Sequence, residues 1–335
     1  MGRRRLGIEI ETRALLRPFS ISRGVRTEVA IVRVRLSQDG CEGRGAATGV
    51  TYRGESVETM LREIENRRSL IEQGAGREEI NALLPAGGAR AALDAALWEL
   101  EAALAGTSVA DLLGISPRPL ASAFTIVLDD PAAMAEQAQT EAWRPLLKVK
   151  LGLDDGREAE RIRAVRQAAP DAALVADANA GWSPETLGAM LPLLEECAYR
   201  LIEQPLPIGS EALLPLATAP LHLCLDESFD TSADLDRLPG GVTHVNIKLD
   251  KCGGLTEALT IRDRAEALGL GIFVGCMVGP SEAIAPAHLL AQRADYVDLD
   301  GPFWVEGEAD KARLNKGGLM LPIAPEVWGR GERDA

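Results

Sequence analysis

From about residue 120 onward, apolar runs and amphipathic stretches alternate with a regular beat. Short β-like runs occupy residues 121–128, 146–152, 173–180, 199–207, 222–228, 244–250, 271–277 and 296–301. Their starts lie 25, 27, 26, 23, 22, 27 and 25 residues apart. Helix-like patterns fill most of the gaps, at 130–143, 156–168, 183–196, 255–268 and 281–293. Asp130-Pro131 and Ser183-Pro184 each read as a capping residue followed by a first-turn proline. Eight strands alternating with helices at this spacing predict a (β/α)8-type barrel, with a doubly wound open sheet as the rival. The catalytic barrel is placed at residues 119–310.

The first 118 residues have a different rhythm. Residues 6–16, 28–36 and 40–49 alternate like an antiparallel meander, and 55–72, 77–84 and 89–105 are helix-like. This predicts an α+β capping domain over 1–118. Residues 311–335 lack a further βα unit and are expected to return to that domain. Gly43-x-Gly45-x-x-x-Gly49 does not open a helix and is rejected as a dinucleotide fingerprint.

Composition narrows the function classes. The chain has 335 residues, 46% hydrophobic and 26% charged, as for a folded globular enzyme. Its net charge of -14 argues against nucleic-acid binding, which needs a basic patch. No apolar run is long enough to suggest a membrane span. Five scattered cysteines without C-x-x-C spacing suggest reduced thiols and a cytoplasmic protein. The oligomeric state, including a homo-oligomer, is left open.

Lysine usage changes the picture more. Of 36 basic residues only six are Lys: Lys148, Lys150, Lys248, Lys251, Lys311 and Lys316. Arg stays protonated in proteins, whereas a crowded or buried Lys can act as a base. Two of these lysines sit in Leu147-Lys148-Val149-Lys150 and one in Ile247-Lys248-Leu249, on predicted strands.

In a barrel, chemistry gathers where the strands end. Predicted strand two ends with Lys148 and Lys150, three with Asp177 and Asn179, and four with Glu203. Strand five ends with Asp226-Glu227, six with Lys248 and Asp250, eight with Asp298 and Asp300. Residues two apart on a strand share a face. Asp177, Glu203 and Asp226 end three consecutive strands and, with no His or Cys among them, form an all-oxygen candidate site for Mg²⁺, with Mn²⁺ as a substitute. Strands two and six are opposite in a ring of eight, so Lys150 and Lys248 are expected to face each other. Burial, a dication and the like charge of Lys148 should lower their pKa values. Opposed bases around a metal suggest removal of an α-proton from a metal-bound carboxylate. Reprotonation of the planar enediolate on its other face would then give the epimer.

The residues quoted so far resemble the enolase superfamily, muconate lactonizing enzyme subgroup, over nearly the full length. The resemblance rests on Lys148-Val149-Lys150, Asp177-Ala178-Asn179, Glu203-Gln204-Pro205, Asp226-Glu227-Ser228 and Asn246-Ile247-Lys248. It implies catalytic Lys150 and Lys248, with Lys148 beside them, and metal ligands Asp177, Glu203 and Asp226. Asn179 and Asp250 are taken as supporting residues. Asp298-Leu299-Asp300-Gly301-Pro302 gives a finer resemblance to dipeptide epimerases. That implies inversion of the C-terminal residue's α-carbon in L-Ala-D/L-Glu-type dipeptides, in murein peptide metabolism. Asp298 and Asp300 would then hold the free ammonium, and Arg26 the side-chain carboxylate, a bidentate pairing. Thr125, Cys276 and Met277 complete the expected substrate site. The alternatives are a cycloisomerase, an o-succinylbenzoate synthase or an N-acylamino acid racemase on the same scaffold. A non-catalytic metal- or peptide-binding protein is a more distant rival.

Overall fold

The computed structural model describes residues 3–153, 155–210, 221–308, 312–330 and 332–333. Residue 311, where the C-terminal segment is expected to begin, lies outside them.

Strands β1 (Arg5–Ile21), β2 (Gly24–Gln38) and β3 (Cys41–Ala47) form an antiparallel meander. Helices α1 (Val57–Glu65), α2 (Arg68–Glu72), α3 (Arg77–Leu83), α4 (Gly88–Ala105) and α5 (Val109–Leu112) follow. The single helix expected over 55–72 is thus two, broken at Asn66-Arg67. Helix α4 is buried along most of its length and lies directly on β3. The glycines of the rejected motif make this possible. A Cβ at Gly43 would lie 2.2 Å from the Ala96 carbonyl oxygen, and one at Gly45 2.1 Å from that of Ala92.

The second unit is β4 (Phe124–Ile126), α6 (Pro131–Glu141), β5 (Leu146–Lys150), α7 (Glu158–Ala168), β6 (Ala173–Asp177), α8 (Pro184–Glu196), β7 (Tyr199–Glu203) and β8 (His222–Leu225). It continues through β9 (His244–Lys248), α9 (Leu249–Cys252), α10 (Leu255–Ala267), β10 (Gly271–Gly275), α11 (Ser281–Leu290) and β11 (Tyr296–Asp298). Neighbouring strands pair in parallel in the order β4 to β11. The ring is joined by a parallel bridge from Ser122 to Val297, where Ala123 N donates to the Val297 carbonyl at 2.7 Å. The predicted barrel is therefore the observed one. The expected caps form too: Asp130 accepts from Ala132 N and Ala133 N, and Ser183 from Thr186 N.

Strand alternation sorts the side chains. On β5, Leu147 and Val149 pack outward with the helices, while Leu146 joins an inner cluster with Val175, Leu201 and Phe273. The positions in phase with that inner set become polar toward the strand ends: Lys148 and Lys150, Asp177, Glu203. On β9 the outward set is Val245 and Ile247, leaving His244, Asn246 and Lys248 in the inner phase.

The two units are bonded around α9. Asp250 accepts from Thr48 N (2.8 Å) and Gly49 N (2.7 Å). Asp94 of α4 accepts from Thr256 N at 3.1 Å, capping α10 across the domain boundary. The C-terminal residues touch both units: Met320 bridges to Leu120, and the Trp328 indole donates to Arg44 and Ala95 carbonyls. β12 (Glu332–Arg333) pairs with β3.

Candidate active site

The C-terminal strand ends open beneath the β1–β2 hairpin into one cavity. Its wall includes Arg23, Arg26, Tyr52, Thr125, Lys148, Lys150, Asn179, Asp226, Lys248, Cys276, Met277, Asp298 and Asp300. A larger groove of about 720 Å³ crosses the capping sheet. Arginines there are already neutralised, as in Arg33–Glu282 (2.9 Å) and Arg44–Glu99 (3.2 Å). The strand-end cavity is where the unusual chemistry lies.

Register explains the grouping. Lys150 pairs with Asp177, and Asp177 with Glu203, on adjacent strands. Lys150 Nζ donates to Asp177 Oδ2 at 2.6 Å. Lys148 Nζ stands among three carboxylates, 3.0 Å from Asp177 Oδ2, 2.7 Å from Glu203 Oε2 and 2.9 Å from Asp298 Oδ2. On the opposite strand, Lys248 Nζ donates to Asp226 Oδ2 at 2.6 Å. All six of these lysines and proposed ligands are buried.

This pairing overturns the expected lowering for Lys248. Burial pulls Lys148 down, but Asp177, Asp298 and Glu203 outweigh it and hold the ammonium well above its ordinary value. Burial likewise opposes Lys248, and Asp226 more than offsets it. The carboxylates split. Burial pushes all three up, yet the lysines hold Asp177 and Asp226 low. Glu203 is pushed up by burial and by Asp177.

Among the described residues, no three His, Cys, Asp or Glu side chains stand close enough to hold an ion as they are. Lysine ammoniums supply the positive charge instead. The donor set still fits a hard cation, since its members are all oxygen. Glu203 Oε2 is buried without an aligned hydrogen bond despite its short ion pair to Lys148. An acceptor left in that state is a vacancy in the hydrogen-bond accounting.

The strand-eight pair differs from the expected same-face doublet. β11 ends at Asp298, and Asp300 precedes a 3₁₀ turn, Gly301–Phe303. Asp300 Oδ2 accepts from Thr125 N (2.8 Å) and the Trp304 indole (2.9 Å). Asp298 Oδ1 is buried with no hydrogen-bond partner. Lys248 and Asp250 are likewise not two positions of one strand, because the chain turns into α9 at Leu249. Asp250 bonds the capping domain, as described, whereas Asn179 reaches Asp177 through its backbone N (2.8 Å) and side-chain amide (3.3 Å).

Arg26 lines the cavity and donates to the Thr51 hydroxyl. Burial and the neighbouring Arg23 lower its pKa. Among the described residues it has no carboxylate within ion-pair distance. Sequence reasoning overlooked three contributors. Asn246 donates to Glu203 Oε1 at 2.8 Å. Lys251 donates to Asp226 Oδ1 at 2.6 Å and to the Phe229 carbonyl at 2.7 Å. Tyr52 presents a buried hydroxyl without a partner. Lys251 had a visible signal, its rarity, and Asn246 stood in a quoted motif two positions before Lys248 on one strand; Tyr52 had none.

Two family profiles match: "Mandelate racemase / muconate lactonizing enzyme, N-terminal domain" over residues 7–114, and "Enolase C-terminal domain-like" over 132–319. The chain belongs to the enolase superfamily. It is 43% identical to L-Ala-D/L-Glu epimerase of Escherichia coli K12 over 298 residues, 88% of this chain and 92% of that one. It is 40% identical to N-acetyl-D-glutamate racemase of a Pseudoalteromonas species, over 85% and 91%. A solved enolase family member from Agrobacterium tumefaciens, with bound sodium and L-Ala-L-Glu, superposes with a TM-score of 0.93. It is 41% identical, covering 97% of this chain and 100% of that one. Dipeptide epimerases of the same fold, 25%, 29% and 26% identical, are solved with Mg and a dipeptide. This superfamily member is an isomerase of the epimerase and racemase class.

Proposed function

We propose that the protein is a Mg²⁺-dependent epimerase of L-Ala-D/L-Glu-type dipeptides, working by 1,1-proton transfer at the C-terminal residue. The observation that carries this reading is the placement of Lys150 and Lys248 on opposite strands of one ring, in one cavity, with carboxylates of three intervening strands between them. Asp177, Glu203 and Asp226 would hold Mg²⁺. Bound there, Mg²⁺ would acidify the C–H next to a substrate carboxylate and compete with the lysines for carboxylate charge, lowering their pKa values.

Each remaining step belongs to residues of the chain. One of Lys150 and Lys248, as the free amine, takes the α-proton; the other, as the ammonium, returns one to the opposite face. The reverse reaction exchanges their roles. Asn179, Asn246 and Lys251 fix the carboxylates. The unpartnered Asp298 Oδ1 offers an acceptor to a substrate ammonium, with Asp300 held beside it by Thr125 and Trp304. Arg26, half-buried in the cavity wall without a carboxylate partner, is the seat for a Glu side chain. Murein peptides are the setting that the family resemblance implies.

The likeness to N-acetyl-D-glutamate racemase supports a second reading, because that compound shares the glutamate end but has no ammonium. Proton NMR in D₂O with Mg²⁺ separates the two. Loss of the Glu α-proton of L-Ala-L-Glu, with growth of L-Ala-D-Glu signals, supports dipeptide epimerisation. Faster exchange on N-acetyl-D-glutamate supports the second reading.

A further inference from the structure

The tip of the β1–β2 hairpin carries Arg26 but has little apolar anchorage of its own. Val25 is 63% exposed. Phe19 packs edge-on against Trp304 at 4.8 Å, and Leu128 N donates to the Ser20 carbonyl at 3.1 Å, but beyond Ile21 the ties to the barrel are polar side-chain contacts. Ser22 Oγ donates to the Asn179 carbonyl at 3.3 Å, and Arg23 Nη1 to the same oxygen at 3.0 Å. Arg23 Nη1 also donates to Glu227 Oε1 at 2.6 Å.

Glu227 is not one of the proposed metal ligands, yet it is 1% exposed. Burying a carboxylate so fully is costly unless a cation and hydrogen bonds compensate it. Arg23 supplies that charge, and Asn179 Nδ2 adds a hydrogen bond to Oε1 at 3.1 Å. A second arginine grips the same barrel loop. Arg53 Nη2 donates to the Glu227 carbonyl at 3.0 Å, and Arg53 pairs with Asp230. The Arg23 and Arg53 guanidiniums lie 4.8 and 5.7 Å from the Tyr52 ring centroid. Asn179, with φ of 45°, joins this network to Asp177.

We propose that Arg23 and Glu227, backed by Arg53 and Asp230, form an interdomain clasp that positions Arg26 over the cavity and so sets the preference for an acidic side chain. This rests on the epimerase reading. Arg23 and Glu227 are positioning residues: Arg23 spends its charge on Glu227, leaving Arg26 for substrate. The clasp holds the hairpin tip, which lies beyond the Phe19–Trp304 contact and exposes Val25.

The test compares L-Ala-L-Glu with its neutral near-isostere L-Ala-L-Gln. Arg23→Gln should raise KM for L-Ala-L-Glu by ~10-fold or more, with kcat changed less than ~3-fold and L-Ala-L-Gln little affected. Glu227→Gln should do the same, and the double variant should be no worse than either single one, since both break one interaction. Arg23→Lys should restore part of the loss. Amide hydrogen exchange of residues 20–27 should speed up in Arg23→Gln with no substrate present. Equal losses on both dipeptides, additive losses, or unchanged exchange at 20–27 would overturn the clasp. If the wild-type enzyme turns over neither dipeptide, the epimerase reading fails. The substrate-free exchange experiment still decides whether Arg23 secures the hairpin.

Discussion

The two ends of the barrel use the same strands for opposite purposes. At the C-terminal end, Lys148, Lys150, Lys248 and four carboxylates crowd together in mutual ion pairs. At the N-terminal end, His222 and His244 stack with centroids 4.4 Å apart, and His222 Nδ1 lies 3.1 Å from the Tyr296 hydroxyl. Phe273 stands between the two, 5.9 Å from the Tyr296 ring and 5.3 Å from Lys148 Nζ. One end is a plug of packed rings with hydrogen-bonded polar atoms. The other leaves Glu203 Oε2, Asp298 Oδ1 and Asn246 Oδ1 without hydrogen-bond partners. Stability needs the first arrangement, and a site that must receive a cation and a charged substrate needs the second.

The sharpest way to break this comparison is at the mouth. Lys150→Ala or Lys248→Ala should lower epimerisation by ~10³-fold, the scale of a lost acid–base group, while the melting temperature stays near wild type. A collapse of folding in both would mean that these lysines are chiefly structural. Arg26→Gln should reduce kcat/KM for L-Ala-L-Glu by ~10²-fold through the loss of a charge-assisted pair, leaving L-Ala-L-Gln turnover close to wild type.

At the plug the expected signature is reversed. A Cβ at Gly271 would lie 2.2 Å from His244 Nε2. Gly271→Ala should therefore cost ~1–3 kcal/mol of stability by overpacking, read by denaturant unfolding, with kcat within about twofold of wild type. A large loss of kcat with unchanged stability would contradict the division of labour.

The most gradual effect, spread over a pH range, is a pH dependence of stability. Burial, then the neighbouring His222, lowers the His244 pKa from 6.5 to about 4, against a weaker opposing pull from Asp295. The unfolded chain therefore binds the proton that the folded ring refuses. This contribution is intact above pH 6.5 and is lost as pH falls toward 4, by at most ~1.4 kcal/mol per pH unit. His244→Gln should flatten that part of the stability profile; an unchanged slope would place the titration elsewhere.

What the sequence discloses follows the same division. The barrel strands all lie within the runs read from apolar periodicity, because alternation and helix caps are local. The strand-end carboxylates were visible because they end those runs. The break between α1 and α2 was missed, since Asn66-Arg67 carries no Gly or Pro. Gly43 and Gly45 were dismissed as a failed motif, although their meaning is contact with α4. The Asn246–Glu203 and Arg23–Glu227 contacts are tertiary facts: their partners lie tens to hundreds of residues apart and leave no period. The pKa expectation for Lys248 failed for a related reason, because the sequence does not show that Asp226 pairs with it.

The central claim is that Lys150 and Lys248 serve opposite faces of one α-carbon. Its most direct test is α-proton exchange in D₂O, with Mg²⁺, of L-Ala-L-Glu and L-Ala-D-Glu by the Lys150→Ala and Lys248→Ala enzymes. The account predicts that each variant retains exchange on one epimer and loses it on the other, with the retained epimer switching between variants. Equal residual exchange on both epimers in either variant would contradict it.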